Sequence, residues 1–355
     1  MWSGQRLQLL GVSQSQSFVR VAGMSGKFAF WPMSSKKKAP PVVVDLDSED
    51  DNAVVSDDGD ATSSTSHSAA ERPFKSVSSV SHVGYVAFNP GKVNQDRLIR
   101  CVDFAGRPDA ALFGVFDGHG VHGHDVSEFV SHVLPLKLMS MMSADDGDLR
   151  GSLTNAFLET ADALESNKKI NSTYSGTTAV VSYVTKDKIV TANAGDSRAV
   201  LGRGTAEGSV VAIPLSVDHK PDRADEKERI VRNRGRVQPC RGPLGEPVGP
   251  ARVWLYHQDI PGLAMTRSFG DTVAKSIGVI AEPEVTETAR DEADRFLVIA
   301  TDGVWEFIDS QQAVDIVARC ATAGEACRAL LEESTKRWKA EEDVIDDITV
   351  VVVTL

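Results

Sequence analysis

The stretch that decides the fold of this chain is Leu112-Phe113-Gly114-Val115-Phe116-Asp117-Gly118-His119-Gly120. Its first five residues are mostly apolar, aromatic or β-branched, which is typical of a buried strand. The strand ends at Asp117, and a carboxylate there is costly unless a cation or hydrogen bonds satisfy it. Glycines on both sides of His119 allow a sharp turn and let a backbone carbonyl approach a ligand.

The same pattern of an apolar run with an aspartate at one end recurs further along the chain. Two later apolar runs lead into Asp196 and Asp302, and a third run begins just after Asp346 and Asp347. If these strands lie side by side with those ends at one edge, their carboxylates converge. Carboxylate oxygens suit hard cations such as Mg²⁺ and Mn²⁺. The sequence therefore predicts a divalent metal centre at one edge of a sheet.

Composition limits the classes of function that remain. The chain has 355 residues, of which 41% are hydrophobic, so it can form one large globular domain with additional segments. A formal net charge of −12 argues against general nucleic-acid binding. No apolar run approaches the roughly 20 residues of a membrane-spanning helix. The four cysteines are scattered, which favours free thiols in a reducing compartment and thus a cytoplasmic or nuclear protein.

The N-terminal segment differs in composition from the rest. Residues 1–44 contain no Asp or Glu, so residues 1–40 are either an organelle transit peptide or a disordered basic arm, with Lys36–Lys38 as an alternative nuclear-import cluster. Residues Val42–Asp51 resemble a SUMO-interacting motif, and the alternative is an acidic linker. We expect residues 1–76 to form a disordered arm and residues 77–355 to form the main domain.

The order of strand and helix patterns predicts the fold class of that domain. Strands occur in groups, beginning with residues 83–88, and pairs of amphipathic helices are inserted between the groups. Strict alternation of strands and helices is absent. We therefore expect an α+β fold in which helices flank a β-sandwich of two antiparallel sheets. A flap is expected near 218–262, with a loop and a charged helix at 218–236 and an irregular part at 237–262, which is rich in Pro and Gly.

Eight short motifs give the domain a family resemblance. In chain order, and over about residues 80–355, the motifs are NQD (94–96), FDGHG (116–120), SGTTA (175–179), AGDSR (194–198), DHKP (218–221), MTRSFGD (265–271), TDGVWE (301–306) and DDITV (346–350). With these motifs the chain resembles the metal-dependent protein serine/threonine phosphatases of the protein phosphatase 2C family. One such motif would be weak, but eight in the family's order make an accidental match improbable.

The resemblance implies a role for particular residues at a centre of two Mg²⁺ or Mn²⁺ ions. By position, the implied roles are Asp117 as the bridge between both ions, the Gly118 carbonyl on the first ion, Asp302 and Asp346 on the second, Asp96 and Gln95 on metal-bound waters, and Asp196 and Glu306 on a weaker third ion. The chain departs from the family in three places. Many members have Asp where Glu306 stands, a carboxylate often replaces Gln95, and the phosphate-binding Arg is absent from its usual place, with Lys92 as the nearest cation.

The implied activity is hydrolysis of phosphoserine and phosphothreonine in phosphoprotein substrates. Two divalent ions share a hydroxide that attacks phosphorus directly, so that no covalent intermediate forms. His119 can protonate the leaving alkoxide as a general acid. Two alternatives remain open: a pseudophosphatase or scaffold that binds partners through the N-terminal arm, and a hydrolase of small phosphoesters. We expect a monomer.

Overall fold

The structure is a computed structural model that describes residues 27–30, 42–45, 56–57, 72–142 and 147–355. Of the predicted SUMO-type motif, residues 42–45 form a strand, and residues 46–51 lie outside the described residues. Most of the predicted basic segment at 1–40, including Lys36–Lys38, also lies outside them. The predicted domain boundary at residue 76 coincides with the start of a strand at Ser76. That residues 1–76 form a disordered arm stays a prediction.

The strands of the described residues are numbered here in chain order. They are β1 (Lys27–Phe30), β2 (Val42–Asp45), β3 (Ser56–Asp57), β4 (Ser76–His82), β5 (Arg97–Cys101), β6 (Ala110–Phe116), β7 (Gly118–His119), β8 (Gly176–Thr177), β9 (Ala179–Thr185), β10 (Lys188–Ala194), β11 (Arg198–Gly204), β12 (Val210–Pro214), β13 (Gly235–Arg241), β14 (Pro247–Leu255), β15 (Pro261–Leu263), β16 (Phe269–Gly270), β17 (Glu284–Ala289), β18 (Asp294–Ala300) and β19 (Ile348–Thr354).

The helices of the same residues fall between these strands. They are α1 (Gly123–Met141), α2 (Leu149–Ser166), α3 (Ala224–Arg232), α4 (Thr272–Lys275), α5 (Asp302–Trp305), α6 (Ser310–Val317) and α7 (Ala323–Glu341), with a short 3₁₀ helix at Phe104–Gly106. None of them is both long enough and apolar enough to cross a bilayer.

Two large antiparallel sheets form the centre of the fold. One has the strand order β1-β2-β5-β6-β9-β10-β17, and the other has the order β12-β11-β18-β19-β4-β3. Phe113 of β6 packs between the sheets with Leu297 of β18 and Val351 of β19. Helices α1 and α2 cover the outer face of the first sheet, and α6 and α7 cover that of the second. The predicted α+β sandwich is therefore confirmed.

Strand β6, which leads into Asp117, is buried on both faces. Phe113 and Val115 point into the layer between the sheets, whereas Leu112 and Phe116 pack under α1 and α2. Side chains alternate between the two faces of a strand, so a continuous apolar run is expected where both faces are covered. The whole of β6 is accordingly buried, and Asp117 is the first polar residue after it.

Strand register brings the predicted aspartates to one edge of each sheet. In the second sheet, Ala300 lies opposite Val350, so the end of β18 and the start of β19 are neighbours. Asp302 and Asp346 therefore emerge at the same edge. In the first sheet, Val115 lies opposite Val180, and Ala179 lies opposite Ala194. This register carries Asp117 and Asp196 to a common edge as well.

Two local predictions were wrong. The first strand of the domain is β4 at Ser76–His82, not residues 83–88. Residues 83–88 form no strand: Tyr85 makes an isolated antiparallel bridge to Ile345, and a turn follows at Ala87 and Phe88. The second half of the flap is regular rather than irregular. It forms the antiparallel sheet β13-β14-β15, which packs on α3 and α4 around Ile230 and Val253.

Candidate active site

Four predicted carboxylates, Asp96, Asp117, Asp302 and Asp346, influence one another electrostatically. Burial first, and then the charges of Asp302, Asp96 and Asp346, raise the pKa of Asp117 well above its ordinary value. Burial and the neighbouring acids Asp196 and Asp346 raise the pKa of Asp302 to about 7. Partial burial also raises the pKa of Asp346, against the opposing charge of Lys92. Carboxyl groups this crowded hold protons unless a cation compensates them.

The hydrogen bonds of these aspartates leave acceptor capacity unused. Oδ1 of Asp302 and Oδ1 of Asp196 are both buried without a hydrogen-bond partner among the described residues. Buried carboxylate oxygens without a donor are costly, and a divalent cation with oxygen ligands satisfies them. The residues at this edge therefore fit the predicted metal centre.

The turn after Asp117 is held by close backbone packing. A Cβ on Gly118 would lie 2.5 Å from the Gln95 carbonyl oxygen and 2.6 Å from that of Gly123. No other residue type fits there without displacing one of these segments. Gly118 also pairs with Thr177 through β7 and β8, and the Asp117 backbone N–H donates to Oγ1 of Thr178 at 3.1 Å. The turn is thereby fixed on two sides.

Asp347 connects three segments at the edge. Its carboxylate accepts hydrogen bonds from the backbone N–H of Gly84 at 2.7 Å and of Gln95 at 2.8 Å. The Lys92 ammonium also donates to Asp347 and lies 3.7 Å from Oδ1 of Asp346. Lys92, predicted to bind phosphate, is thus at the acidic edge, but its ammonium is paired with Asp347. The predicted role of Lys92 stays a prediction.

Asp96 and Gln95 lie beside this network in different ways. Asp96 is buried, with 3% of its surface exposed, and it accepts a hydrogen bond from Thr301 at 2.9 Å. Burial and the charge of Asp347 raise its pKa well above the ordinary value. The Gln95 side chain donates to the Gly120 carbonyl at 2.8 Å. Gln95 therefore braces the turn, and its predicted role in holding a water stays a prediction.

His119 forms a direct pair with Asp271. Its Nε2 donates to Oδ2 of Asp271 at 2.7 Å, and its Nδ1 has no hydrogen-bond partner among the described residues. Burial opposes protonation of His119, but the charge and hydrogen bond of Asp271 outweigh it and raise the pKa of the imidazole. His119 is therefore arranged to hold a proton beside Asp117.

A lysine without a predicted role, Lys220, lies beside the positions predicted for a third ion. The Lys220 ammonium pairs with Oδ2 of Asp196 at 2.6 Å. Burial lowers the pKa of Lys220, but the charges of Asp196 and Asp302, together with Glu306, outweigh burial and raise it. Lys220 thus lies among the acids proposed for the third ion. The signal for it was its place in the Asp218–Pro221 motif.

A second acidic group can be set aside as a metal site. His219, Glu226 and Glu284 each offer a ligand atom within 4.8 Å of the others, the one such group of three in the described residues. Oε1 of Glu226 already accepts from Arg229 at 2.6 Å and from Arg267 at 2.8 Å, and Oε2 accepts from Arg229 at 2.5 Å. Glu284 is paired with Arg223 and Arg267. Cations are already supplied here by arginines, so this cluster is an ion-pair network.

One sequence coincidence is also excluded by the structure. Cys101 and Arg107 have the Cys-x5-Arg spacing of phosphatases that use a cysteine nucleophile. Cys101 is fully buried in β5, however, and the Arg107 guanidinium pairs with Asp109 at 3.2 Å and 2.9 Å. These two residues do not form a phosphate-binding loop.

Comparison with known proteins gives a consistent result. The protein-family model "Protein phosphatase 2C" matches residues 91–342. The chain is 41% identical over 271 residues to "Probable protein phosphatase 2C 64" of Oryza sativa subsp. japonica, covering 74% of this chain and 62% of that protein. It is 39% identical over 276 residues to "Probable protein phosphatase 2C 34" of Arabidopsis thaliana, covering 73% and 76%. The chain thus spans less than two thirds of the rice relative.

Solved structures share the fold. A serine-threonine phosphatase 2C from Toxoplasma gondii is 25% identical with a TM-score of 0.68, covering 80% of this chain and 96% of that one. A C. elegans sex determining protein has a TM-score of 0.61 at 18% identity, covering 78% and 64%, which concerns the fold alone. With the family match over residues 91–342, these likenesses account for the sandwich fold. The chain therefore belongs to the protein phosphatase 2C family of metal-dependent protein serine/threonine phosphatases.

Proposed function

We propose that this protein hydrolyses phosphoserine and phosphothreonine in phosphoproteins, with water as the direct nucleophile and no covalent phosphoenzyme. The observation that carries the proposal is the position of Asp96, Asp117, Asp302 and Asp346 at one edge, where burial and neighbouring acids raise their pKa values. Such an excess of buried and partly buried acidic groups serves no packing purpose and fits a binuclear metal centre.

In this proposal the acidic side chains bind different ions or metal-bound waters. When bound, two Mg²⁺ or Mn²⁺ ions activate a water and neutralise charge on the phosphoryl group. The residues that would hold them are Asp117, the Gly118 carbonyl, Asp302 and Asp346, with Asp96 and Gln95 on associated waters and Asp196 and Glu306 at a weaker third position. Oδ1 of Asp302, which has no donor among the described residues, supports this assignment.

His119 supplies the proton that the leaving group needs. An alkoxide of serine or threonine is a poor leaving group unless it is protonated as the bond to phosphorus breaks. The hydrogen bond from Nε2 to Asp271 orients the ring and stabilises its protonated form. Lys92 remains the candidate for binding the phosphate, which requires it to exchange Asp347 for the substrate.

The experiment that tests the proposal measures Mn²⁺-dependent turnover of a phosphothreonine peptide and of p-nitrophenyl phosphate. We expect the wild type to hydrolyse both and Asp302→Asn to lose nearly all activity. Asp187→Asn is the matched control, because Asp187 is exposed in the turn between β9 and β10. No turnover by the wild type, or full turnover by Asp302→Asn, would overturn the proposal and leave a scaffold function.

The extent of the catalytic unit follows from burial at its N-terminal edge. Phe74 is buried against Phe113, with ring centroids 5.4 Å apart, and β4 begins at Ser76. We propose that residues 1–71, including the outer strands β1, β2 and β3, are dispensable for peptide hydrolysis, because a deletion ending before Arg72 keeps Phe74 and β4 in place. A large fall in turnover by this deletion would assign the arm to the catalytic unit. The SUMO-type partner, the monomeric state and the cytoplasmic or nuclear location remain predictions.

A further inference from the structure

Three large apolar side chains lie exposed around the turn that carries His119. They are Val93, Val121 and Tyr174, and 56%, 81% and 52% of their surfaces are exposed. We call these three residues the apolar rim. Single exposed apolar residues are ordinary, but a group of them beside a functional site marks an interaction surface.

Gly120 joins the three segments that carry the rim. Its carbonyl accepts a hydrogen bond from the side chain of Gln95, two residues from Val93, at 2.8 Å. A Cβ on Gly120, which has a φ of +83°, would lie 2.3 Å from the Tyr174 carbonyl oxygen. Val121 follows Gly120 directly. Each rim residue therefore contacts Gly120 or lies within two residues of one that does. Because Gly120 follows His119, the rim lies next to His119.

The same turn has a second link to the segment of Tyr174. The backbone N–H of His122 donates to Oγ of Ser175 at 3.0 Å. Val121 is thus flanked by backbone contacts on both sides, at Gly120 and at His122. The exposure of its side chain is consequently a property of a fixed backbone, which is the arrangement needed for specific recognition.

We propose that the apolar rim binds apolar side chains that flank the phosphorylated residue of the substrate, an inference that rests on the proposed function. A phosphoresidue that reaches Asp117 and His119 must bring its neighbours in the peptide across the residues next to His119. Val93, Val121 and Tyr174 offer no charge for acidic or basic neighbours to pair with. Burial of apolar surface on binding is favourable, so the rim selects phosphopeptides with apolar flanking residues.

The test uses two phosphothreonine peptides that differ only in the residues beside the phosphothreonine, which are leucine in one and serine in the other. For the wild type, we expect kcat/KM to be about tenfold higher for the leucine peptide, which corresponds to about 1.4 kcal/mol. We expect Val121→Ser and Tyr174→Ser to move this ratio toward one, mainly through a higher KM for the leucine peptide. A purely structural defect would lower kcat/KM for both peptides and leave the ratio unchanged.

The matched control is Val211→Ser, because Val211 is a partly exposed valine on the edge strand β12. Val211 lies opposite Arg203 of β11 and belongs to none of the segments that carry the apolar rim. We expect it to keep the wild-type ratio. Equal kcat/KM for both peptides in an active wild type, or equal loss of the ratio in Val211→Ser, would overturn the inference. Absence of Mn²⁺-dependent hydrolysis of p-nitrophenyl phosphate would overturn the proposed function itself, and the inference with it.

Discussion

His119 and Asp271 lie 152 residues apart in the chain, and their side chains meet at 2.7 Å between Nε2 and Oδ2. Asp271 also accepts a hydrogen bond from Oγ of Ser268 at 2.6 Å, which limits the orientations of its carboxylate. A histidine held in this way has a defined orientation and a stabilised positive charge. In the proposed mechanism, this pair is therefore the part of the site that controls proton transfer.

The first prediction concerns the leaving group. His119→Gln is expected to lower kcat for a phosphothreonine peptide by about 10²- to 10⁴-fold, the usual contribution of a general acid. For p-nitrophenyl phosphate the loss should be much smaller, because p-nitrophenolate leaves readily without a proton. Steady-state assays on both substrates measure the difference. His257→Gln, an exposed histidine of the β14–β15 turn, serves as the control. Equal losses on both substrates would contradict the role of His119 as an acid.

The second prediction concerns the pH profile of kcat. Asp271 raises the pKa of His119, and catalysis requires the protonated imidazole, so activity should fall as the pH rises through that pKa. Asp271→Asn removes the charge, which lowers the pKa of His119. The basic limb of the profile should therefore move to lower pH. An unchanged basic limb, measured with the same peptide and metal concentration, would show that ionisation of His119 does not cause the fall in activity at high pH.

The third prediction concerns the stability of the metal-free protein. The pKa of Asp302 is raised to about 7 in the folded state, so the folded protein binds more protons here than the unfolded chain at intermediate pH. Stability should then decrease as the pH rises from about 4 toward 7, and it should not recover above that range without metal. Melting temperatures measured in a chelator should be higher at pH 5.5 than at pH 8.

Asp302→Asn supplies the comparison for that experiment. The amide cannot ionise, so the difference in melting temperature between the two pH values should shrink in the variant. Mg²⁺ or Mn²⁺ should raise the melting temperature of the wild type at pH 8, because an ion that binds only the folded state stabilises it. An equally steep pH dependence in Asp302→Asn would show that other groups cause it.

The fourth prediction concerns the ion-pair network below the flap. Glu226 is fully buried and accepts from Arg229, Arg267 and Thr266. Burial opposes its ionisation, but these donors outweigh burial and lower its pKa below the ordinary value. Glu226→Gln should therefore destabilise the protein by about 3–5 kcal/mol, the cost of breaking a buried charge pair.

Urea unfolding measures that change, and the same helix offers a control. Asp225 is exposed and pairs with Arg223, so Asp225→Asn should cost no more than about 1 kcal/mol. Equal effects of the two substitutions would contradict the network's role in holding α3 to the domain.

Local sequence patterns were sufficient to predict those features of this protein that depend on residues close together in the chain. The apolar run of β6 predicted a strand covered on both faces, and the aspartates at the ends of such runs predicted an acidic edge. The motifs from Asn94 to Val350 predicted the family, which the comparisons confirm. These signals are local because strand periodicity and turn chemistry act over a few residues.

The choice of partner for each charged side chain depended on contacts between distant parts of the chain. Lys92 meets Asp347 across 255 residues, Lys220 pairs with Asp196, and Gly84 lies against the backbone of Ile345. No periodic pattern around Lys92 or Asp347 encodes their contact. The contact arises only when strand register brings these two distant segments to the same edge. Amino-acid order alone thus specified the acidic strand ends, whereas long-range packing specified which cation, donor or backbone meets each of them.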